Sequence, residues 1–228
     1  SLVFPTSVWS ENYVAVLPPD TNGNYFVQIV ALQDDTTVTV LPTVTLPAGN
    51  DIPEAPAGSA TELLLAGGEV FQWVISDDPT GTVIVADGPV AFMGGNQYMC
   101  YDTTTTPTGG CDTGHEYILP VQSSGHRYVA APYASRGTDP ESLLYRIVGM
   151  VDGTALTFDP SVTGAPSTLS AGQAVDFEAV GPFAVTSQDA SHPFQVVQIM
   201  PGCAVEGNDS NIGDEEYVSV PAVDHYLD

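Results

Sequence analysis

Asp35-Thr36-Thr37-Val38-Thr39-Val40-Leu41-Pro42 decides the fold. From Thr36 to Val40 hydroxyl and apolar side chains alternate with period two, as on a strand with one face in a core and one in water. The same grammar continues outward. Residues 13–17, 25–32, 61–65, 70–75, 82–86 and 90–93 are short, β-branched runs bounded by turn residues. Ala86-Asp87-Gly88-Pro89, between two such runs, reads as a tight hairpin turn. No stretch sustains a 3.6-residue period, and residues 141–145 hold one helical turn at most. Composition agrees, with 28 Val against 14 Leu, 22 Thr, and 22 Gly and 19 Pro as punctuation. β-branched side chains fit a pleated surface and lose χ1 freedom in helices, so the expected class is all-β.

The deciding stretch has an echo. Asp35–Pro42 is answered by Asp152-Gly153-Thr154-Ala155-Leu156-Thr157-Phe158-Asp159-Pro160, at an offset of 118. Tyr13-Val14-Ala15-Val16-Leu17-Pro18 is answered by Tyr117-Ile118-Leu119-Pro120, Leu65-Ala66-Gly67-Gly68 by Leu169-Ser170-Ala171-Gly172, and Pro89 by Pro193, all at 104. Insertions near 132–146 and 43–60 reconcile the two offsets. Tyr217-Val218-Ser219-Val220-Pro221 reads as a third opening. The expectation is two tandem antiparallel β-sandwich-like repeats of about 100 residues, at 1–104 and 105–208, with 209–228 the first strand of a third repeat or a linker. Half-repeats of about 50 residues have the length of propeller blades, but the echo at 104 favours the sandwich.

Charge narrows the function. The 228 residues carry 28 Asp+Glu against 3 Lys+Arg, a formal charge of −25, with no lysine. Such a surface repels phosphate, which excludes nucleic acid and attraction to anionic lipid as partners. No apolar run reaches the roughly 20 residues that span a bilayer, so direct membrane insertion is not expected. At 43% hydrophobic and 14% charged residues, the chain is not a disordered acidic tail. A start at Ser1 without methionine or signal peptide reads as a processed protein or a piece of a larger one. Low charge, no lysine and abundant Thr, Ser, Gly and Pro point outside the cell. Cys100, Cys111 and Cys203 fit one bridge plus an odd partner.

Gly81-Thr82-Val83-Ile84-Val85-Ala86-Asp87-Gly88-Pro89-Val90-Ala91-Phe92-Met93-Gly94-Gly95-Asn96 is followed in order by Cys100, Cys111-Asp112, His115-Glu116, Leu119-Pro120, Gly125 and Tyr128. This succession resembles the IgGFc-binding protein N-terminal domain family. Its pattern runs from a strand through Ser-Asp-x-Pro, Val-Ala-Val and Gly-Asn to two cysteines, then Asp, His, an acid and Leu-Pro. Here Thr113 and Gly114 separate Asp112 from His115, and Ser124-Gly125 stands where the family commonly has Trp-Gly. Bacterial secreted and surface proteins carry similar domains. The resemblance implies an extracellular β-rich interaction module with no catalytic residue to carry over. With the extracellular look of the chain, it favours a Cys100–Cys111 disulfide stapling a ten-residue loop, contributing about 2–3 kcal/mol.

Thr103, Thr104, Thr105, Thr106 and Thr108, with Pro107, have the composition of an O-glycosylated stalk, and Asn208-Asp209-Ser210 is a formal N-glycosylation sequon. Two oxygen-rich loops are candidate calcium sites, with Asp20, Asn22 and Asn24 as ligands in one and Asp209, Asn211 and Asp214 in the other. Calcium is the one cofactor that the chain suggests. The histidines are scattered, with no HExxH and no CxxC, which argues against zinc. No Gly-x-Ser-x-Gly is present. The function expected is a non-catalytic binding or adhesion module, secreted or at the cell surface, whose partners are other surface or matrix proteins or glycans. The alternatives are a structural subunit of a filament or matrix, self-associating through its chain ends, and a secreted hydrolase with two carboxylates in a deep cleft.

Overall fold

The computed structural model describes residues 4–19, 22–49, 51–107, 109–208 and 211–226. The chain is all-β. Its strands are β1 (Ser10–Val14), β2 (Tyr25–Ala31), β3 (Thr36–Leu41), β4 (Thr61–Leu65), β5 (Val70–Ile75), β6 (Val83–Met99), β7 (Asp112–Tyr117), β8 (Arg127–Ala130), β9 (Ser142–Gly149), β10 (Thr154–Asp159), β11 (Thr168–Leu169), β12 (Ala174–Val180), β13 (Phe183–Ser187), β14 (Phe194–Met200) and β15 (Glu216–Val220). Short 3-10 turns at Thr6–Val8, Val121–Ser123 and Val223–His225 are the only helical elements among the described residues. No helix there is long and apolar enough to cross a membrane.

Seven antiparallel strands of the first half share β6. Its start lies between β3 and β1, with Val40 opposite Ile84 and Tyr13 opposite Ile84, and its end lies between β2 and β7. The second half has two four-stranded sheets, β11-β10-β13-β8 and β12-β9-β14-β15. With β13 and β14 taken as the two ends of β6, the arrangements coincide strand for strand. One core holds Tyr25, Ile29, Val38, Trp73, Ile84 and Phe92, and another holds Tyr128, Tyr145, Ile147, Phe177, Phe183 and Phe194. β3 shows why the alternation was legible: Thr36, Val38 and Val40 are buried and Thr37 and Thr39 half-buried.

A third cluster joins the halves. Val14, Val16 and Met99 pack against Val148, Val197, Ile199 and Tyr217. The β12-β9-β14-β15 sheet is therefore apolar on both faces. On β9, Tyr145 and Ile147 face one core and Val148 the other; on β14, Phe194 and Val196 are opposed by Val197 and Ile199. Arg146, on the joining face, has its side chain 5% exposed. Its Nε and Nη2 donate to Asp176 at 2.7 and 2.8 Å, and its Nη1 donates to Asp78 at 2.5 Å and to the carbonyls of Leu17 and Pro18 at 3.1 and 3.2 Å. Burial alone would lower its pKa, but the Asp176 hydrogen bonds and the Asp78 charge outweigh it and hold the guanidinium charged.

Four expectations from the sequence give way. The hairpin at Asp87-Gly88-Pro89 is absent, because β6 runs through it without a break. Asp87 Oδ1 accepts the Thr37 N–H at 2.8 Å and the Pro89 carbonyl accepts the Leu32 N–H at 3.0 Å, so flanking partners hold these residues extended. The helical turn at 141–145 lies mainly in β9. Tyr217–Pro221 does not open a free strand, since β15 pairs with β14 from Val196–Val220 to Met200–Glu216 and so satisfies its backbone within the chain. The partner of Tyr13 is not Tyr117 but Tyr128. Tyr13 Oη donates to the Val90 carbonyl and accepts the Ser10 N–H, and Tyr128 Oη does the same with Phe194 and Gly125. The sheets of the two halves part between Tyr117, where β7 ends, and Arg127, where β8 begins.

Candidate functional site

Three connections converge beside the β12-β9-β14-β15 sheet: 100–111 between β6 and β7, 131–141 between β8 and β9, and 201–215 between β14 and β15. The first is stapled by a Cys100–Cys111 disulfide with Cα atoms 4.7 Å apart. Thr103 and Thr106 exchange backbone hydrogen bonds at 2.8 and 3.2 Å, which curls the threonine run into a turn. Glu178 on β12 anchors it, accepting from the Thr104 N–H at 2.9 Å and from Thr104 Oγ1 and Ser142 Oγ at 2.7 Å each. Partial burial raises the Glu178 pKa, but these donors more than offset that and leave it below the usual carboxylate range.

The other two loops are tied in by charge and by glycine. The Glu141 carboxylate takes Arg136 Nη2 at 2.6 Å and Nε at 3.1 Å, together with the Arg136 backbone N–H. Gly202 lies so close to the first loop that a Cβ there would stand 1.6 Å from the Gly109 carbonyl, which only glycine tolerates. Between the loops is a hollow of about 210 Å³ bordered by Thr104, Thr138, Pro140, Glu141, Val205 and Glu206. Buried polar atoms without a hydrogen-bond partner gather in the same loops: Thr103 Oγ1, Thr106 Oγ1 and Arg136 Nη1. Glu215 is 3% exposed, and burial, with the Asp214 charge adding to it, pushes its carboxyl up to about 7. Native interiors keep such unpaired atoms few, and a concentration of them on one face asks for a partner.

The sequence-derived candidates fall unevenly on this face. Thr104 Oγ1 is engaged with Glu178 and Thr105 Oγ1 with the Ser142 N–H at 2.7 Å, while Thr106 is wholly buried. Thr108 lies outside the described residues. The Asn208 side chain is turned inward, its Nδ2 donating to the Cys203 and Ile212 carbonyls at 2.9 Å each, so the sequon does not present its nitrogen. Of the calcium candidates, Asp20 and Asp209 are outside the described residues. Asn24 Nδ2 donates to Gln97 at 3.3 Å, Asp214 Oδ1 accepts the Glu215 N–H at 3.0 Å, and Asn211 takes a left-handed φ of 48°. Glu215 has a carboxylate oxygen within 4.8 Å of Cys100 and Cys111 Sγ, but the disulfide occupies both sulfurs. Sequence reasoning missed Glu178, Arg136, Glu141 and Glu215. Glu178 meets Thr104 and Ser142 across 74 and 36 residues, and Arg136 meets Glu141 within one connection, five residues on, but no local motif marks any of them.

For the hydrolase alternative, Glu116 is pushed upward by burial and by the neighbouring charge of Glu216. A cavity of about 790 Å³ elsewhere is bordered by neither, and its walls are mainly aromatic and aliphatic. His126 and His192 pair with Asp224 and Asp189 at 3.0 and 2.8 Å, and the nearby Ser124 Oγ accepts instead from Gln195.

An all-β scaffold that carries a disulfide-stapled connection beside two others has the layout in which sheets position loops. The chain matches the family model described as IgGFc binding protein over residues 1–228, and it belongs to that family. No curated protein and no solved structure matches it.

Proposed function

We propose that the protein is an extracellular, non-catalytic binding module that recognises surface or matrix proteins, or their glycans, through the three-loop face. The observation that carries this reading is the concentration of unpaired buried polar atoms in loops that are held rigid by the Cys100–Cys111 bridge, the Glu178 anchor and the Arg136–Glu141 pair. Pre-organised donors and acceptors lose little entropy on binding, and a partner supplying the missing hydrogen bonds gains twice. We read the chain as two copies of one sandwich fused through the third apolar cluster. Calcium at Asp209, Asn211 and Asp214 would stiffen the third loop without altering this role.

The family name describes binding to IgG Fc, so Fc belongs in the test beside mucin, matrix proteins and glycan arrays. Biolayer interferometry of the parent and of Glu178→Gln, which frees the threonine turn, is the experiment. The reading expects at least one ligand whose affinity falls about tenfold in the variant, the loss of one charge-assisted hydrogen bond. Binding equal in both proteins, or turnover of a panel member, contradicts it. In the filament alternative, self-association would need a surface other than the β15 edge that pairs with β14.

A further inference from the structure

The two halves differ at one position that matters. The tyrosine hydrogen bonds set Tyr13 against Tyr128, Ser10 against Gly125 and Val90 against Phe194. One residue outward, Trp9 therefore corresponds to Ser124 and Ala91 to Gln195. Strand pairing agrees, since Ala91 lies opposite Val30 on β2 and Gln195 opposite Val148 on β9. In the second half Gln195 is 3% exposed and fills the space between the sheet and the segment entering it. Its Nε2 donates to the Leu119 carbonyl at 3.2 Å and to Ser124 Oγ at 2.9 Å.

In the first half that carboxamide is missing. Ala91 offers only a methyl group, and the residue at the place of Ser124 is Trp9, whose Nε1–H is buried with no acceptor. Trp9 and Ala91 both border the cavity of about 790 Å³, with Phe4, Val8, Tyr117 and Ile118. Its polar edge includes Ser123 and His225, and no carboxylate borders it among the described residues. The size is that of a small-molecule site, and the mix of apolar walls with few polar groups is the usual one. A buried N–H without an acceptor is costly, and a ligand carbonyl would relieve that cost.

We propose that this cavity binds a small uncharged ligand carrying an amide on an apolar stem, the amide carbonyl accepting from Trp9 Nε1–H and the stem lying against Phe4 and Tyr117. A carboxamide also fills the corresponding place in the other half, where its Nε2 donates to Ser124 and Leu119; facing the Trp9 donor here, the ligand's carbonyl accepts. The described wall offers an ammonium no carboxylate, and His225 stands only at its edge, so desolvating either charge on these apolar walls costs more than desolvating an amide. The site is separate from the three-loop face, and its occupancy does not depend on what that face binds.

The probe is N-acetyl-L-leucinamide, with N-acetyl-L-leucine as its charged counterpart, followed by the indole ¹⁵N–¹H resonances of Trp9 and Trp73. The expected result is a saturable shift of the Trp9 signal with the amide, at least tenfold weaker binding of the acid, and an unmoved Trp73 signal. Ala91→Gln installs the other half's solution and is expected to abolish the shift and raise the melting temperature. Trp9→Phe keeps an aromatic wall and removes the donor; followed on the Ile118 methyl groups, it is expected to weaken binding about fivefold to tenfold. The proposal is overturned if the Trp9 signal does not move up to the solubility of the amide, if acid and amide bind alike, or if Trp9→Phe binds as well as the parent.

Discussion

Replacing Arg146 by alanine removes the one cation that spans the two halves. Its guanidinium makes five hydrogen bonds to Asp176, Asp78, Leu17 and Pro18 and a sixth to Thr80 Oγ1 at 3.1 Å. Removing one partner of a buried ion pair costs about 3–5 kcal/mol, since the remaining charges stay desolvated. Here the side chains of Asp78 and Asp176 are 25% and 36% exposed and can recover water, which moves the charge part to the low end. The carbonyls of Leu17 and Pro18 lie in the joining layer and lose their donor, at about 1–3 kcal/mol each if water does not reach them. The ion-pair figure already counts groups left without a partner, so the carbonyls are not added to it, and the expected loss is about 3–4 kcal/mol, or about 6–16 °C in Tm for a chain of this size. Urea unfolding followed by tryptophan fluorescence and far-UV circular dichroism measures it. Lysine at 146 keeps the charge but not the planar fork to Asp176, and is expected to restore less than half of the loss. A loss below about 1 kcal/mol for Arg146→Ala, or full rescue by lysine, would refute the view that this side chain bolts the halves together.

Glu215 makes stability depend on pH. Its carboxyl sits at about 7 in the fold against 4.5 for the free group. Below about pH 4.5 it is protonated both folded and unfolded; as pH rises toward 7 the unfolded chain releases its proton first, so stability falls across that window and is level above it. Glu215→Gln should lose this slope and gain up to about 3 kcal/mol on the parent between pH 4.5 and 8, and equal slopes in the two proteins would count against the burial argument. Replacing Cys100 and Cys111 by serine should cost about 2–3 kcal/mol, with hydrogen exchange rising in residues 101–107 before the sheets are affected. The charge of −25 should make Tm rise between about 10 mM and 1 M NaCl, as the Debye length shrinks from about 30 to 3 Å, and a flat Tm would show that the carboxylates are too dispersed to repel.

What could be read from the sequence was local or periodic. The alternation at Thr36–Val40 and the recurrence of Asp152–Pro160 place β3 and β10 at corresponding positions. The order of Cys100 and Cys111 within the family pattern indicated the bridge. Asp87-Gly88-Pro89 misled because its turn propensity is a property of three residues, whereas its extended state is imposed by Thr37 and Leu32 from strands far away in sequence. The joining layer left a weaker sign. Leu143-Leu144-Tyr145-Arg146-Ile147-Val148 and Phe194–Met200 do not alternate cleanly, which is how strands buried on both faces read. The echo of Tyr13 was placed on Tyr117 because both precede a proline. The pairing with Tyr128 depends on where each hydroxyl reaches, which spacing does not reveal. The loop face was invisible for the same reason: Glu178 meets Thr104 and Ser142 only once the sheets have brought distant segments together, while the Arg136–Glu141 pair, though five residues apart, belongs to no recognisable motif.

Whether recognition belongs to the three-loop face is decided by hydrogen exchange of the protein alone and with the tightest ligand from the binding panel. Protection is expected in residues 101–107, 134–141 and 201–208, with the sheet amides of β2, β3 and β10 unchanged. Protection spread over an exposed sheet face, with those three segments exchanging as before, would contradict it.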